Sequence, residues 1–478
     1  MNRDVVIGKY TLESLTNGMY ADPLDLYREY IQNSADSIDN DKQTCGMSCE
    51  YRIEVNIDEL SGSISIRDNG TGIREEIAVP TLVDIGNSDK DKNKTRGFRG
   101  IGRLAGLGYC DELVFVTSSR GECSRTLICF DTKQLKILLF NDDQSVISIN
   151  DVMKKIITVS YEEEESDCHF FEVRLEGVSN NVKLLNLDIV EKYLIQHVPV
   201  PYRREFMWAS TIREKCKLLG YDIPEYNITL NGKQLFKPYA NTFLCDRVKK
   251  REDSIRDIEV VPFYRDENLV AVLWYGSVGF YGTILDNQIK GIRIRQGNLL
   301  IGDKTTCNRL FKEERFNGWM IGELHVVDPE MIVNARRDYF EQNEAHYNLS
   351  EDFIEWSTQK IKEIRKLSYS RTLSEKEIQF IDSDSAEDVN NLFVETIDMD
   401  PSESDYIDSE ENEEVSEIDF LNKLSRMMNQ KQTKYMALNI KDHLSVEQKK
   451  IVEKIFDILT GNYNEEAEAI INLILDQL

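Results

Sequence analysis

The chain has 478 residues, too many for one hydrophobic core, which suggests about two to four domains, and its composition (41% hydrophobic, 30% charged) is ordinary for a soluble protein. A net charge of −27 opposes binding of nucleic acid or an anionic membrane by the surface as a whole. No run reaches the roughly 20 apolar residues of a membrane span, the start MNRDVVIGKY lacks the apolar core of a secretory signal, and nine scattered cysteines fit reduced thiols. A cytoplasmic location with no membrane partner is expected. Cys45 and Cys49 form a CGMSC pair without a second pair to complete a zinc site.

In chain order, GKYTLESLTNGMYADP gives a short helical segment and a turn, and Asp22 followed by Pro23 marks a helix start running to about Asn40. At roughly 100° per residue, Glu29, Asn33 and Asp36 share a wedge of about 60°, with Tyr27, Ile31 and Ile38 nearly opposite. YRIEVNIDE and GSISIRDNG read as a hairpin, and ELVFVTSSRG, SRTLICFD, KILLFN and HFFEVRLEGV as further strands. Helices interleaved with a meandering sheet imply a sandwich with helices on one face. From about Leu185 a second unit begins: NITLNGKQL is a hairpin around Asn231 and Gly232, IEVVPFYRDENLVAVLWYGSVGFYG holds strands around an Asp-Glu-Asn turn, and GIRIRQGNLLIGD repeats the pattern. Ser350 is expected to cap a helix carrying Phe353, Ile354, Trp356, Ile361 and Ile364 on its apolar side. Between Glu377 and Asn422 there is no Lys or Arg, and the acidic run there repels itself as linkers do. IDFLNKLSRMMNQ and the two helices broken at Gly461 and Asn462 then restore structure.

Two glycine-bearing loops follow the first helix. Asp68-Asn69-Gly70-Thr71-Gly72-Ile73 comes straight after a strand, where Asp, Asn and Gly suit a tight turn. GFRGIGRLAGLG places Gly97, Gly100 and Gly102 before a helix expected at Arg103 to Leu107, and glycines there let backbone N–H groups approach a phosphate. Just before it, Lys90, Lys92, Lys94, Arg96 and Arg99 make a basic stretch in an acidic chain, which fits either a lid over phosphates or a solvated loop.

Taken in order, the three motifs resemble the GHKL ATPase superfamily of gyrase, heat-shock-protein-90 chaperones, histidine kinases and MutL. Glu29, Asn33 and Asp36 in REYIQNSADSID match the first motif in its chaperone and MutL form, DNGTGI the second, and GFRG the third. GWMIGELHVVDPEMIVNARRDYFEQ looks like the chaperone middle segment, where an arginine after an Asn reaches back to the nucleotide, which makes Arg337 the match and Arg336 its neighbour. The resemblance implies an α+β chain: a Bergerat-type α/β sandwich ATPase domain (1–184), an α/β transducer or middle domain ending in a helix (185–370), an acidic linker (371–430) and a C-terminal helical hairpin for dimerisation or partner binding (431–478).

It also implies ATP and Mg²⁺ as ligands. Glu29 would act as base on a water in line with the γ-phosphate, and Asn33 would give an amide oxygen to Mg²⁺. Asp68 would accept from the adenine amino group, with Asp36, Gly70, Gly72 and Ile73 around the base. Lys94, Gly97, Phe98, Arg99, Gly100, Ile101 and Gly102 would wrap the phosphates. Arg337 would neutralise charge developing in phosphoryl transfer. Family members commonly dimerise in the ATP state, so an ATP-dependent homodimer and a protein partner or client are expected, and the reduced architecture suggests antiphage defence. The alternative is an ATP-gated DNA clamp like MutL or MORC proteins, using Arg203, Arg204, Arg247, Lys249, Lys250 and Arg251. Phe170 and Phe171 stand where related proteins often have a Gly-Thr pair, so that part of the pocket is expected to differ.

Overall fold

Helix α1, Asp25–Cys45, carries the first motif through the N-terminal core. In the computed structural model, which describes residues 22–45, 50–84, 102–140, 148–178, 182–246, 248–334 and 336–382, it is entered through a turn in which Asp22 Oδ1 accepts from the Leu24 N–H at 3.0 Å. Tyr27, Ile31 and Ile38 are fully buried, as their spacing predicts, and each contributes about 1.5–3 kcal/mol by leaving water.

The helix lies on an eight-stranded sheet ordered β5-β4-β3-β6-β2-β1-β7-β8. Its strands are β1 Ile53–Asp58, β2 Ser63–Asp68, β3 Glu112–Ser118, β4 Ser124–Asp131, β5 Ile157–Glu163, β6 Phe170–Glu176, β7 Ile228–Leu230 and β8 Lys233–Gln234. All neighbours are antiparallel except β1 and β7. Inward residues such as Ile64, Ile66, Phe115, Val173 and Leu175 join the core with α1. The opposite face carries ion pairs, Arg67 with Glu172 at 3.4 Å and Arg174 with Glu172 at 2.9 Å, as a solvated antiparallel face should. The expected fold class, mixed α+β with helices on one face of a large sheet, is what the chain adopts.

Three local expectations need correcting. KILLF, the described part of KILLFN, is not a strand but the end of helix α3, Thr132–Phe140, which follows α2, Glu75–Val83. An apolar run this short fits either state, and the decision is made at the cap, where Asp131 Oδ1 accepts from the Gln134 N–H at 2.8 Å. The expected helix at Arg103 to Leu107 is a 3-10 segment, Gly102–Gly108. Ser350 is no cap: its hydroxyl donates to the His346 carbonyl at 2.7 Å inside a helix that begins at Glu344, where Asn343 Oδ1 takes the His346 N–H at 2.9 Å. Helix α4, Ile149–Ile156, and strand β5 were not anticipated.

Helix α5, Leu187–His197, leads towards the second sheet, whose early part is covered by α6, Ala209–Leu218. The expected hairpin forms at Asn231 and Gly232, both at positive φ (46° and 79°), but it extends the first sheet: β7 pairs with β1, and Asn231 exchanges hydrogen bonds with the Ile57 N–H (2.8 Å) and carbonyl (2.9 Å). Then come β9 Thr242–Cys245, β10 Arg251–Ser254, β11 Asp257–Arg265, β12 Asn268–Ser277, β13 Gly291–Gln296, β14 Leu299–Leu300 and β15 Ile321–Val326, with a five-stranded sheet ordered β11-β12-β15-β13-β14. Helix α7, Glu344–Asp382, closes the described chain and buries Phe353, Ile361 and Ile364 in the second core. It runs on through the first residues of the segment expected as linker. The remainder of the acidic segment and the C-terminal helices lie outside the described residues.

Candidate functional site

The polar wedge of α1 is buried rather than solvated. Glu29 and Asp36 are 8% and 4% exposed, while Asn33 is half-buried. Charged groups this deep need partners, and Glu29 has two: Oε1 lies 3.5 Å from Arg28 Nη2 and 3.0 Å from Arg337 Nε. Arg28 also pairs with Asp25 at 3.2 Å, and Asp25 Oδ1 accepts from the Tyr193 hydroxyl on α5 at 2.7 Å. Burial raises the Asp25 pKa in spite of Arg28. Arg336 is exposed, so Arg337 alone of the arginine pair faces the first motif. It does so from a left-handed backbone, φ 57°, which is uncommon for a side chain of its size.

Asp68 ends β2. Register places it beside Phe171 of β6, which in turn pairs with Thr117 of β3, so the three side chains form one row on the helix-bearing face. Asp68 is 1% exposed. Its Oδ1 accepts from the Gly70 N–H at 2.9 Å, whereas Oδ2, although buried, has no hydrogen-bond partner among the described residues. Burial pushes the carboxyl up to about 7 against the lowering influence of the Gly70 N–H and the nearby Ser34 and Ser37 hydroxyls. The two loop glycines are dictated by close approach. A Cβ on Gly70 would sit 2.2 Å from Ser37 Oγ, and one on Gly72, at φ +64°, 1.9 Å from the Ser118 carbonyl oxygen. Ile73 donates its N–H to Thr117 Oγ1 at 2.8 Å, and that hydroxyl donates to the Phe170 carbonyl at 3.0 Å. His169 finishes the loop: Arg120 donates to Nε2 at 2.8 Å, so Nδ1 carries the proton and donates to the Gly70 carbonyl at 2.6 Å.

Of the third motif the structure describes Gly102 onward. Lys94, Gly97, Phe98, Arg99, Gly100 and Ile101 lie outside the described residues, as do Lys90, Lys92 and Arg96. The 3-10 segment is tied to α1 by the Tyr30 hydroxyl, which donates to the Arg103 carbonyl at 3.1 Å and accepts from the Gly106 N–H at 2.8 Å. Gly106 has no room for a side chain, since a Cβ there would lie 2.7 Å from that hydroxyl. The first and third motifs are thus joined one residue from Glu29.

A purine base with an exocyclic amino group fits these residues: a buried carboxylate oxygen without a partner is an acceptor awaiting a donor. The amide oxygen that Asn33 offers suits a hard cation such as Mg²⁺. Residues 27–155 match the family model described as histidine kinase-, DNA gyrase B- and HSP90-like ATPase. Those residues are a GHKL-type ATPase domain.

Two chaperones are similar to the chain beyond that match. The chaperone protein HtpG of Buchnera aphidicola subsp. Schizaphis graminum is 25% identical over 217 residues, covering 41% of this chain and 32% of that protein. The HtpG of Rickettsia canadensis is 29% identical over 140 residues, 25% of this chain and 22% of its own length. The matched stretches thus span a third or less of these chaperones, and the likeness supports the HSP90-like branch of the GHKL ATPases. No helix among the described residues is long and apolar enough to cross a membrane.

Sequence reasoning missed Tyr30, Thr117, His169 and Tyr193. Thr117 had a faint signal, a hydroxyl at the end of an apolar strand. The others bond backbone or carboxylate groups far away in the chain, and no local pattern announces that.

Proposed function

We propose that the chain is a Mg²⁺-dependent ATP hydrolase whose bound nucleotide couples its two sheets, acting with a protein partner. The observation that carries this reading is the contact between Glu29 and Arg337, which sets the first motif and the loop after β15 at one point, 3.0 Å apart. Asp68 Oδ2 takes the adenine amino group, with Gly70, Gly72 and Ile73 shaping the loop beside it and Asp36 closing the polar face of α1. Lys94, Gly97, Phe98, Arg99, Gly100, Ile101 and Gly102 are assigned to the phosphates. Asn33 would hold Mg²⁺, which would supply Lewis-acid chemistry at the phosphates. Glu29 accepts a proton from the attacking water. Arg337 exchanges its hold on Glu29 for the terminal phosphate and so reports the triphosphate to the second sheet. Dimerisation in the ATP state, capture of a client and a role in antiphage defence belong to this proposal; the likeness to two proteins named as chaperones supports capture of a client.

The test is phosphate release from Mg–ATP by the wild-type chain and by Glu29→Ala. Turnover in the former, with its loss but retained ATP binding in the latter, is the expected result. Equal turnover in both removes Glu29 from the reaction.

A further inference from the structure

The second sheet contains a buried carboxylate for which the proposed reaction has no use. Glu323, within β15, has no exposed surface, yet six donors converge on it. At Oε1 these are Arg295 Nε (2.5 Å) and the Tyr239 hydroxyl (3.1 Å). At Oε2 they are Lys237 Nζ (2.6 Å), the Tyr202 hydroxyl (3.1 Å), His325 Nε2 (3.1 Å) and Trp274 Nε1 (3.3 Å). Burial opposes ionisation of Glu323, but Arg295 and Lys237 prevail and hold it well below the usual carboxylate range. Burial lowers Lys237 to about 8 while Glu323 pulls it back up, and it lowers His325 to about 4. His325 is therefore neutral near pH 7, with its proton on Nε2 and Nδ1 accepting from the Tyr221 hydroxyl at 3.1 Å. Buried ion clusters contribute little net stability relative to an apolar core. What they do supply is a fixed geometry.

Two covalent and hydrogen-bonded routes lead from this cluster to the two residues of the Glu29–Arg337 pair. Along one, Lys237 Nζ donates to Asn298 Oδ1 at 2.8 Å and Arg295 Nη1 to the Asn298 carbonyl at 3.0 Å, which fixes the left-handed turn (φ 62°) between β13 and β14. The chain leaves that turn through β14 and reaches Gly302, whose N–H donates to the Arg337 carbonyl at 2.9 Å. Gly302 sits so close that a Cβ there would lie 2.6 Å from the Asp338 carbonyl oxygen, so the Arg337 loop rests directly on its backbone. Along the other, Arg295 Nη2 donates to the Gln196 carbonyl at 2.9 Å and Arg293 Nε to Gln196 Oε1 at 2.8 Å. Gln196 shares α5 with Tyr193, which continues through Asp25 and Arg28 to Glu29. One route ends on Arg337 and the other on Glu29.

We propose that Glu323, Lys237 and Asn298 are positioning residues for ATP hydrolysis: the buried cluster sets where Arg337 stands relative to Glu29, on either side of the terminal phosphate. This rests on the assignment of Glu29 and Arg337 above. It predicts that disturbing the cluster lowers the rate of the chemical step without changing affinity for the nucleotide, because misplacement by about 1 Å can slow a positioned reaction roughly 100-fold.

The experiment uses the full chain with Asn298→Gly, which keeps the left-handed backbone and removes only the carboxamide. A first readout needs no nucleotide: a double-mutant cycle of Glu29→Gln and Arg337→Met on the denaturation midpoint, run with and without Asn298→Gly. Coupling between the pair is expected in the wild-type background and its loss in the variant. Equal coupling in both overturns the proposal. The second readout is turnover, expected to fall about tenfold or more in kcat with the Kd for Mg–ATP unchanged. Wild-type kcat in the variant, or a fall in kcat and affinity together, also overturns it. If Asn298→Gly does not fold, Tyr193→Phe removes the hydroxyl that bonds Asp25, interrupts the second route and carries the same two measurements. A wild-type chain without ATP turnover defeats the assigned function, while the coupling readout still decides whether the cluster positions the pair.

Discussion

Asp68→Asn separates the fold from the site. A carboxyl held at about 7, against 3.8 for a free aspartate, is one whose ionisation the folded chain resists, by about 4 kcal/mol at full ionisation. The sign follows from the direction of the shift: the folded pKa lies above the unfolded one, so the penalty is absent below about pH 4, grows as pH rises, and is complete above about 7. Asparagine carries no charge and keeps one oxygen for the Gly70 N–H, so the variant should gain stability at pH 8, up to about 4 kcal/mol, and have little advantage at pH 4. Its ATP binding should fail at the same time. Two acceptors are needed, for Gly70 and for the base, and an amide offers one oxygen and one donor, which sets an NH₂ against the adenine amino group. Losing a hydrogen bond to a charged acceptor and stranding donors amounts to about 3 kcal/mol, roughly a 100-fold loss of affinity. Denaturant unfolding at pH 4, 6 and 8 and calorimetric titration with Mg–ATP measure the two effects. A destabilised variant at pH 8, or one that binds ATP as the wild type does, refutes the reasoning.

Other substitutions probe the remaining contacts. Arg337→Ala should slow turnover by a factor of roughly 10 or more with little change in ATP affinity; steady-state rates equal to wild type would assign this arginine to structure alone. Tyr30→Phe removes a hydroxyl that serves both the Arg103 carbonyl and the Gly106 N–H, and should cost about 1–3 kcal/mol in denaturant unfolding, with no effect meaning that water replaces it. Deleting residues 430–478 should weaken self-association or partner capture, so an unchanged sedimentation profile in the presence of ATP would show that the C-terminal helices serve neither.

The first motif was readable because helical spacing gathers Glu29, Asn33 and Asp36 onto one wedge whatever lies around them. The sheet was largely readable too, since β1, β2 and β6 alternate apolar and polar residues, while β3 and β4 show as short runs rich in β-branched and aromatic residues. Where both faces are covered, the same alternation misleads. In GIRIRQ, Arg293 and Arg295 sit at positions that an amphipathic strand would turn to water, yet both are 1% exposed and meet Glu323 and Gln196. Glu323 lies on another strand and Gln196 on helix α5, beyond the reach of local pattern. The helix Thr132–Phe140 was lost for a smaller reason, a cap at Asp131 that a short apolar run conceals. The pairing of Arg337 with Glu29 could not be read from spacing because about 300 residues separate them.

The central claim is that the separated motifs of the first sheet form one nucleotide site. Calorimetric titration of the full chain with ATP, in the presence and absence of Mg²⁺, tests it most directly. The account predicts saturable heat of binding to the wild-type chain that strengthens with Mg²⁺. A well-folded preparation that gives no heat with ATP or ADP under either condition contradicts it.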